Sequence, residues 1–153
     1  IREQEPVNLR VLVEGCWRNV RTEVARLDVE TDRIIVGDES RLCQLVENLL
    51  RNAVEHGYGT EHPDDITSLE ADELLTVTVG ELEDGFYVAD DGVGIPADTR
   101  DRIFDSGFST TTDGTGFGLR IVEQIAAAHG WTVDVCESTT GGARFEFTGV
   151  EFV

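Results

Sequence analysis

Lysine is absent from this sequence: all 12 basic residues are arginine, set against 31 acidic ones, for a formal net charge of −19 at pH 7. So acidic a chain repels nucleic acid and anionic membrane surfaces, which excludes both as partners held by charge. The same imbalance fits adaptation to concentrated salt, where screening removes the self-repulsion that would otherwise oppose the compact state. Methionine is absent too and the chain opens at Ile1, so a piece of a longer protein is expected. Cysteine is scarce: Cys16, Cys43 and Cys136 are odd in number and widely spaced, with no Cys-x-x-Cys pair. Neither a disulfide framework nor a zinc site is signalled, and all three read as small core residues in a reducing cytoplasm. No apolar run is long enough to span a bilayer, and the N-terminus has no signal-peptide pattern. What is present is 153 residues at 40% hydrophobic content, enough for one domain with a real core.

Hydrophobic spacing divides this chain into elements. Leu9, Leu12, Val13, Cys16, Trp17 and Val20 recur at helical spacing within residues 8–24, with Asn8 as N-cap. Leu27 to Glu30 alternates and Arg33 to Val36 reads as a second short strand ending at Gly37, so a hairpin is expected there. From Asp38 or Ser40 as cap to Gly57 runs the strongest helical pattern, with Leu42, Leu45, Val46, Leu49, Leu50 and Ala53 on one face. Residues 57–71 read as a loop. Leu74 to Val79 and Gly85 to Ala89 read as strands joined by an acidic turn, residues 97–104 as a short helix whose arginines at 100 and 102 are by default solvated or else reach an anion, and Leu119 to Ala126 as an amphipathic helix ending near His129-Gly130. Trp131 to Cys136 and Gly142 to Phe147 make a closing hairpin. Three helices and five or more strands, mostly in hairpins, predict an α+β two-layer sandwich: helices on one face of a mixed, largely antiparallel sheet.

Three places carry chemistry. Asn48 and Asn52, four apart on the flank of the apolar stripe, project side by side. Asparagine is a poor interior helix residue, so the pair either holds a polar ligand at the core edge or satisfies neighbouring backbone groups. Asp90-Asp91-Gly92-Val93-Gly94-Ile95-Pro96 follows a strand and places a carboxylate, an acceptor for an amine such as that of adenine, beside glycines that admit a flat ligand; an ordinary Asp-Gly hairpin is the alternative. Gly114-Thr115-Gly116-Phe117-Gly118-Leu119 opens a helix with bare amides, as phosphate sites do, or is a flexible linker.

In this order and at these separations the motifs resemble the catalytic ATP-binding domain of sensor histidine kinases, in the superfamily that also contains gyrase and a heat-shock chaperone. Glu47 to Ala53 is similar to its N box, Asp90 to Pro96 to its first glycine box, Ile103 to Phe108 to its F box, Gly114 to Leu119 to its second glycine box, and His129-Gly130 with Gly141 to Phe145 to its closing pattern. The resemblance implies ATP and Mg2+ as ligands. Asp90 would take the adenine amine, with Gly92, Gly94 and Ile95 against the purine and His56 near the base, unless His56 is only a helix-end residue favoured by the dipole. Asn52 would hold the metal with Asn48 beside it, and Gly114, Thr115, Gly116, Phe117, Gly118 and Leu119 would follow the phosphates. Residues from about 97 to 115 would form a lid.

Glu55 departs from the family, where many members carry a basic residue to meet phosphate. Hydrolysing members resemble one another in a glutamate four residues before the metal asparagine; Asn48 stands there, which favours phosphoryl transfer over hydrolysis. The acceptor histidine of such proteins precedes an acidic residue, whereas His56, His62 and His129 precede Gly57, Pro63 and Gly130. In the proteins this chain resembles that histidine lies on a separate dimerisation domain, so the resemblance implies such a domain of the parent kinase as partner, with a response regulator downstream, in the cytoplasm and without direct membrane contact. The alternatives are an ATPase-type relative and a degenerate binding module without kinase activity. The acidic, lysine-free composition makes a halophilic archaeon the expected source.

Overall fold

The computed structural model describes residues 4–18, 25–56, 75–92, 118–137 and 142–153. In chain order the elements are β1 (Glu5–Asn8), α1 (Leu9–Trp17), β2 (Ala25–Val29), β3 (Ile34–Gly37), α2 (Glu39–His56), β4 (Leu75–Leu82), β5 (Gly85–Asp90), α3 (Gly118–Ala128), β6 (Thr132–Glu137) and β7 (Ala143–Thr148). Five strands form the main sheet in the order β2-β4-β5-β7-β6, parallel only between β2 and β4 and antiparallel elsewhere. This is the expected mixed, largely antiparallel sheet with three helices.

Strand alternation explains the layering. Val79 faces Val88, Val88 faces Phe145 and Phe145 faces Val135 across successive strands, and Phe86 pairs with Phe147 one step along. Those side chains, with Val29 and Val77, belong to one core shared with Leu42, Leu45, Val46, Leu49 and Leu50 of α2 and Val122, Ile125 and Ala126 of α3. Phe86 stacks on Phe147 at 4.8 Å and meets Trp131 edge-on at 5.7 Å, geometries favourable to aromatic rings. The intervening residues, Thr76, Thr78, Tyr87, Arg144 and Glu146, lie on the other face and are only half-buried.

Two readings of the N-terminal region change. The hairpin expected between residues 27 and 36 does not form: β2 runs parallel beside β4, while β3 pairs antiparallel with β1. Thr31 is buried between the two strands, and its hydroxyl accepts from the Arg33 amide at 3.1 Å, turning the chain out of the sheet plane. β2 instead sets Ala25, Leu27 and Val29 level with Leu75, Val77 and Val79, which extends the apolar face. β1 was not anticipated because Pro6 interrupts a four-residue strand, a pattern found at sheet edges. Its end supplies the expected cap: the Asn8 side chain accepts from the Val11 amide at 3.1 Å. Helix α1 stops at Trp17, well short of residue 24.

Candidate functional site

Asp90 is where a polar side chain enters the apolar layer. It is the last residue of β5, and the period of two that turns Phe86 and Val88 toward the helices turns Asp90 the same way, opposite Val77 on β4. The residue is 9% exposed and is the only buried ionisable group among the described residues apart from thiols. Its Oδ1 accepts from the Gly92 amide at 2.9 Å and the Ala143 amide at 3.3 Å. Burial pushes its carboxyl pKa above the ordinary aspartate range; the two amides pull it back in part, and the neighbouring charge of Asp91 adds to the rise.

Gly142 makes this placement possible. A Cβ at that position would run into the Asp90 carbonyl and carboxylate oxygen, so only glycine lets β7 begin directly beside the acid. Asp91 shows the contrast: exposed, it turns back so that its Oδ1 accepts from the Thr76 amide at 2.8 Å while its own amide donates to the Thr76 carbonyl at 3.3 Å. The Asp-Gly hairpin alternative is thereby removed. The hairpin partner of β5 is β4, joined through Glu83 and Asp84, and the bond from the Gly92 amide to Asp90 is an Asx turn that leads the chain out of the sheet.

The asparagines are carried by α2. Asp38 is its cap, accepting from the Arg41 amide at 3.3 Å, and Leu42, Leu45, Val46, Leu49, Leu50 and Ala53 are buried as the pattern predicts. Asn48 and Asn52 are half-buried on the flank of that stripe. The Asn48 amide donates to the Gln44 carbonyl at 3.0 Å, which orients its side chain along the helix. His56 is the final residue of the helix, and only its backbone is described.

Helix α3 begins at Gly118, with Leu119 half-buried against the core. It ends in a Schellman motif: Gly130 at φ +78 with its amide donating to Ala127 O, and the Trp131 amide donating to Ala126 O. His129 then fastens the end of α3 to the start of α2. Its Nδ1 bonds the Ile125 carbonyl at 2.8 Å, and its Nε2 accepts from the Asp38 amide at 3.0 Å, which requires the proton on Nδ1. The ring also lies 4.7 Å from that of Trp131. With the end of α3 at the start of α2 and the two packed together, the helices run antiparallel. Eleven residues rise about 16 Å. The same distance along α2 reaches the turn bearing Asn48 and Asn52, so the start of α3 lies level with the asparagines.

Gly92 is therefore brought to Asp90, and Gly118 and Leu119 to the asparagine-bearing half of α2. Gly94, Ile95, Gly114, Thr115, Gly116 and Phe117, the short helix of 97–104 and the segment 97–115 lie outside the described residues. Two contributors were not identified as such from sequence. Gly142 and Ala143 were noted only as part of a closing pattern, although the double glycine at a strand start is a signal of close backbone approach. His129, with Gly130, likewise reads in sequence only as part of that closing pattern, because its partner Asp38 is 91 residues away.

The donors suit a purine nucleotide and its metal. An ionised carboxylate has about four acceptor positions, so it can be oriented by two amides and still receive a ligand amine. The side-chain carbonyls of asparagine are hard oxygen donors of the kind Mg2+ takes alongside phosphate oxygens.

Residues 37–150 match the family described as histidine kinase-, DNA gyrase B- and HSP90-like ATPase. The chain is 40% identical over 116 residues to the sensor histidine kinase ZraS of Klebsiella oxytoca, covering 74% of this chain and 22% of that protein. It is 33% identical over 149 residues to the C4-dicarboxylate transport sensor protein DctB of Rhizobium meliloti (strain 1021), covering 92% and 22%. Among solved structures, full-length ShkA in complex with AMPPNP superposes with a TM-score of 0.71 at 27% identity, covering all of this chain and 32% of that one. The chain thus spans about a fifth of the length of these two curated relatives.

Proposed function

The chain belongs to the histidine kinase-, DNA gyrase B- and HSP90-like ATPase family, and from that premise we propose that it is the Mg-ATP-binding catalytic domain of a two-component sensor histidine kinase. It delivers the γ-phosphoryl group to a histidine on a separate dimerisation domain of the same protein, from which a response regulator is served. The observation that carries the reading is Asp90: a carboxylate turned into an apolar layer, oriented by two amides and accommodated by a glycine, suits a ligand amine.

Adenine lies with its amine on Asp90 and its plane along Gly92, Gly94 and Ile95, with His56 near the base. Asn52 would hold Mg2+, with Asn48 beside it, and the run from Gly114 to Leu119 would meet the phosphates at the start of α3, where helix amides favour negative charge. Bound there, Mg2+ would supply charge neutralisation for the phosphoryl group. The protein's own part is to position the nucleotide. Asn48 stands where hydrolysing relatives resemble one another in carrying a glutamate, so attack by water lacks its general base and transfer to a side chain is favoured. The AMPPNP complex of ShkA supports a nucleotide in this fold.

Among the described residues no helix is long and apolar enough to cross a membrane, in keeping with a cytoplasmic domain. The net charge of −19 supports a salt-adapted, halophilic archaeal source although the relatives named above are bacterial; a melting temperature that rises steadily into molar salt is the expected outcome. Calorimetric titration with ATP, with and without Mg2+, tests the central reading. Metal-dependent binding without phosphate release is expected, followed by labelled phosphohistidine when the acceptor-bearing helical domain is supplied. Phosphate release by the chain alone would indicate an ATPase; binding without transfer would indicate a degenerate module; no binding would refute the reading.

A further inference from the structure

Two of the three cysteines meet in the fold although they are 27 residues apart. The Sγ atoms of Cys16 on α1 and Cys43 on α2 are 2.9 Å apart, well inside the roughly 3.5–4 Å at which non-bonded heavy atoms rest. Cys16 is buried at 1% exposure and Cys43 is half-buried, so one sulfur can be reached from solvent and the other chiefly through the first. Cys43 also lies 3.5 Å from Glu47 Oε1, one turn on, which can accept its proton. Cys136 lies on β6 opposite Arg144, on the sheet face away from the helices.

The sulfurs and Glu47 could instead be a three-donor metal group, since their ligand atoms lie within 4.8 Å of one another. The number of donors weighs against it: a structural zinc takes four protein ligands, and among the described residues only these three group together. Two thiolates on one tetrahedral zinc, at about 2.3 Å each, stand roughly 3.8 Å apart, whereas a disulfide needs about 2.05 Å. The 2.9 Å pair stands between these two distances, within a small shift of bond formation.

We propose that Cys16 and Cys43 are a redox modification site, oxidised by a low-molecular-weight disulfide to a bond that staples α1 to the motif-bearing helix α2. Cys43 loses its proton to Glu47 or water, and its thiolate attacks one sulfur of the small disulfide, forming a mixed disulfide and expelling one small thiolate. Cys16 then loses its proton, attacks the Cys43 sulfur and expels the second thiolate. Two protein thiols are oxidised and one small disulfide is reduced to two thiols. Burial, chiefly, and the neighbouring sulfur push the Cys16 thiol far above its ordinary value, and burial raises Cys43 as well, so the exchange is slow at neutral pH and speeds up as pH rises. The staple does not depend on the nucleotide reading.

The test incubates the folded chain in graded ratios of oxidised to reduced glutathione, blocks remaining thiols and digests with trypsin without reductant. The expected result is peptide 11–18 joined to peptide 42–51, with the loss of two hydrogens in intact mass. The melting temperature should rise by roughly 5–10 °C, reversed by dithiothreitol, because the bond restricts the unfolded chain. Cys43→Ser should abolish both changes and Cys136→Ser neither. Persistence of free thiols at every ratio, pairing through Cys136, or a crosslink that leaves the melting temperature unchanged would overturn the proposal. So would protection of both thiols by zinc alone with no crosslink formed under oxidation, which would assign the group to a metal. Mapping the unsubstituted chain keeps the test decisive even where a variant folds poorly.

Discussion

The two faces of the main sheet treat charge in opposite ways. On the outer face Arg144 pairs with Glu146 at 2.8 Å and lies over the Tyr87 ring at 3.9 Å, while the Tyr87 hydroxyl reaches Glu30 at 3.4 Å. These groups are half-buried or exposed and meet partners of opposite charge or complementary dipole, as a solvated surface does. On the inner face Asp90 sits at the end of an apolar layer, held by backbone amides. A charge on the outer face solves a problem of solvation, whereas the inner carboxylate creates one. In the proposed site a ligand amine would offset that cost.

That contrast can be broken by mutation. Asp90→Asn should have the largest effect, because in the proposed site the side-chain amide would face the adenine amine donor to donor: nucleotide affinity should fall roughly 10- to 100-fold by calorimetry. Stability should move the other way. Folding raises the Asp90 pKa, so the folded chain binds this proton more tightly than the unfolded chain. The group's contribution to stability is fullest below its unfolded pKa and is lost as pH rises through its folded one. At neutral pH the variant should therefore melt no lower than the native chain. In the native chain nucleotide affinity should fall with decreasing pH at a higher pH than an ordinary aspartate would give. An Asp90→Asn variant with native affinity would end the distinction between the faces.

Gly142→Ala comes next, since the added methyl meets Asp90 itself. Binding should weaken by a similar factor, with about 1–3 kcal/mol of stability lost in denaturant unfolding, the usual cost of overpacking. His129→Ala should separate fold from site: the Asp38 amide loses its acceptor and the ring its packing, at about 1–3 kcal/mol. Its nucleotide affinity should stay within a few-fold of native. Smallest of all, Glu146→Gln on the outer face should change stability by about 1 kcal/mol or less and leave binding unchanged, because this half-buried pair is still partly screened by solvent.

Much was legible in advance because its signals are local. The caps at Asn8 and Asp38, the stripe of α2 and the Glu83-Asp84 turn each depend on residues within a few positions of one another, and each stands where the pattern predicts. The hairpin expected between residues 27 and 36 failed for the converse reason. Two adjacent strand patterns do not say whom they pair with, and β2 gains more by widening the core beside β4 than by folding onto β3. The Asn48 alternatives looked equal in sequence, and the structure shows its amide bonded to Gln44 along the helix.

By itself the sequence determined composition, periodicity and the order of motifs, and so the fold class and the identity of Asp90 as a candidate. Only the tertiary structure decided that Asp90 faces inward, that Gly142 and Ala143 receive it, that His129 clamps α3 to α2, and that Cys16 meets Cys43. The physical reason is range. Periodicity and capping act over a turn or a strand, whereas these contacts join groups from 27 to 91 residues apart, which meet only once strand order and helix packing are set.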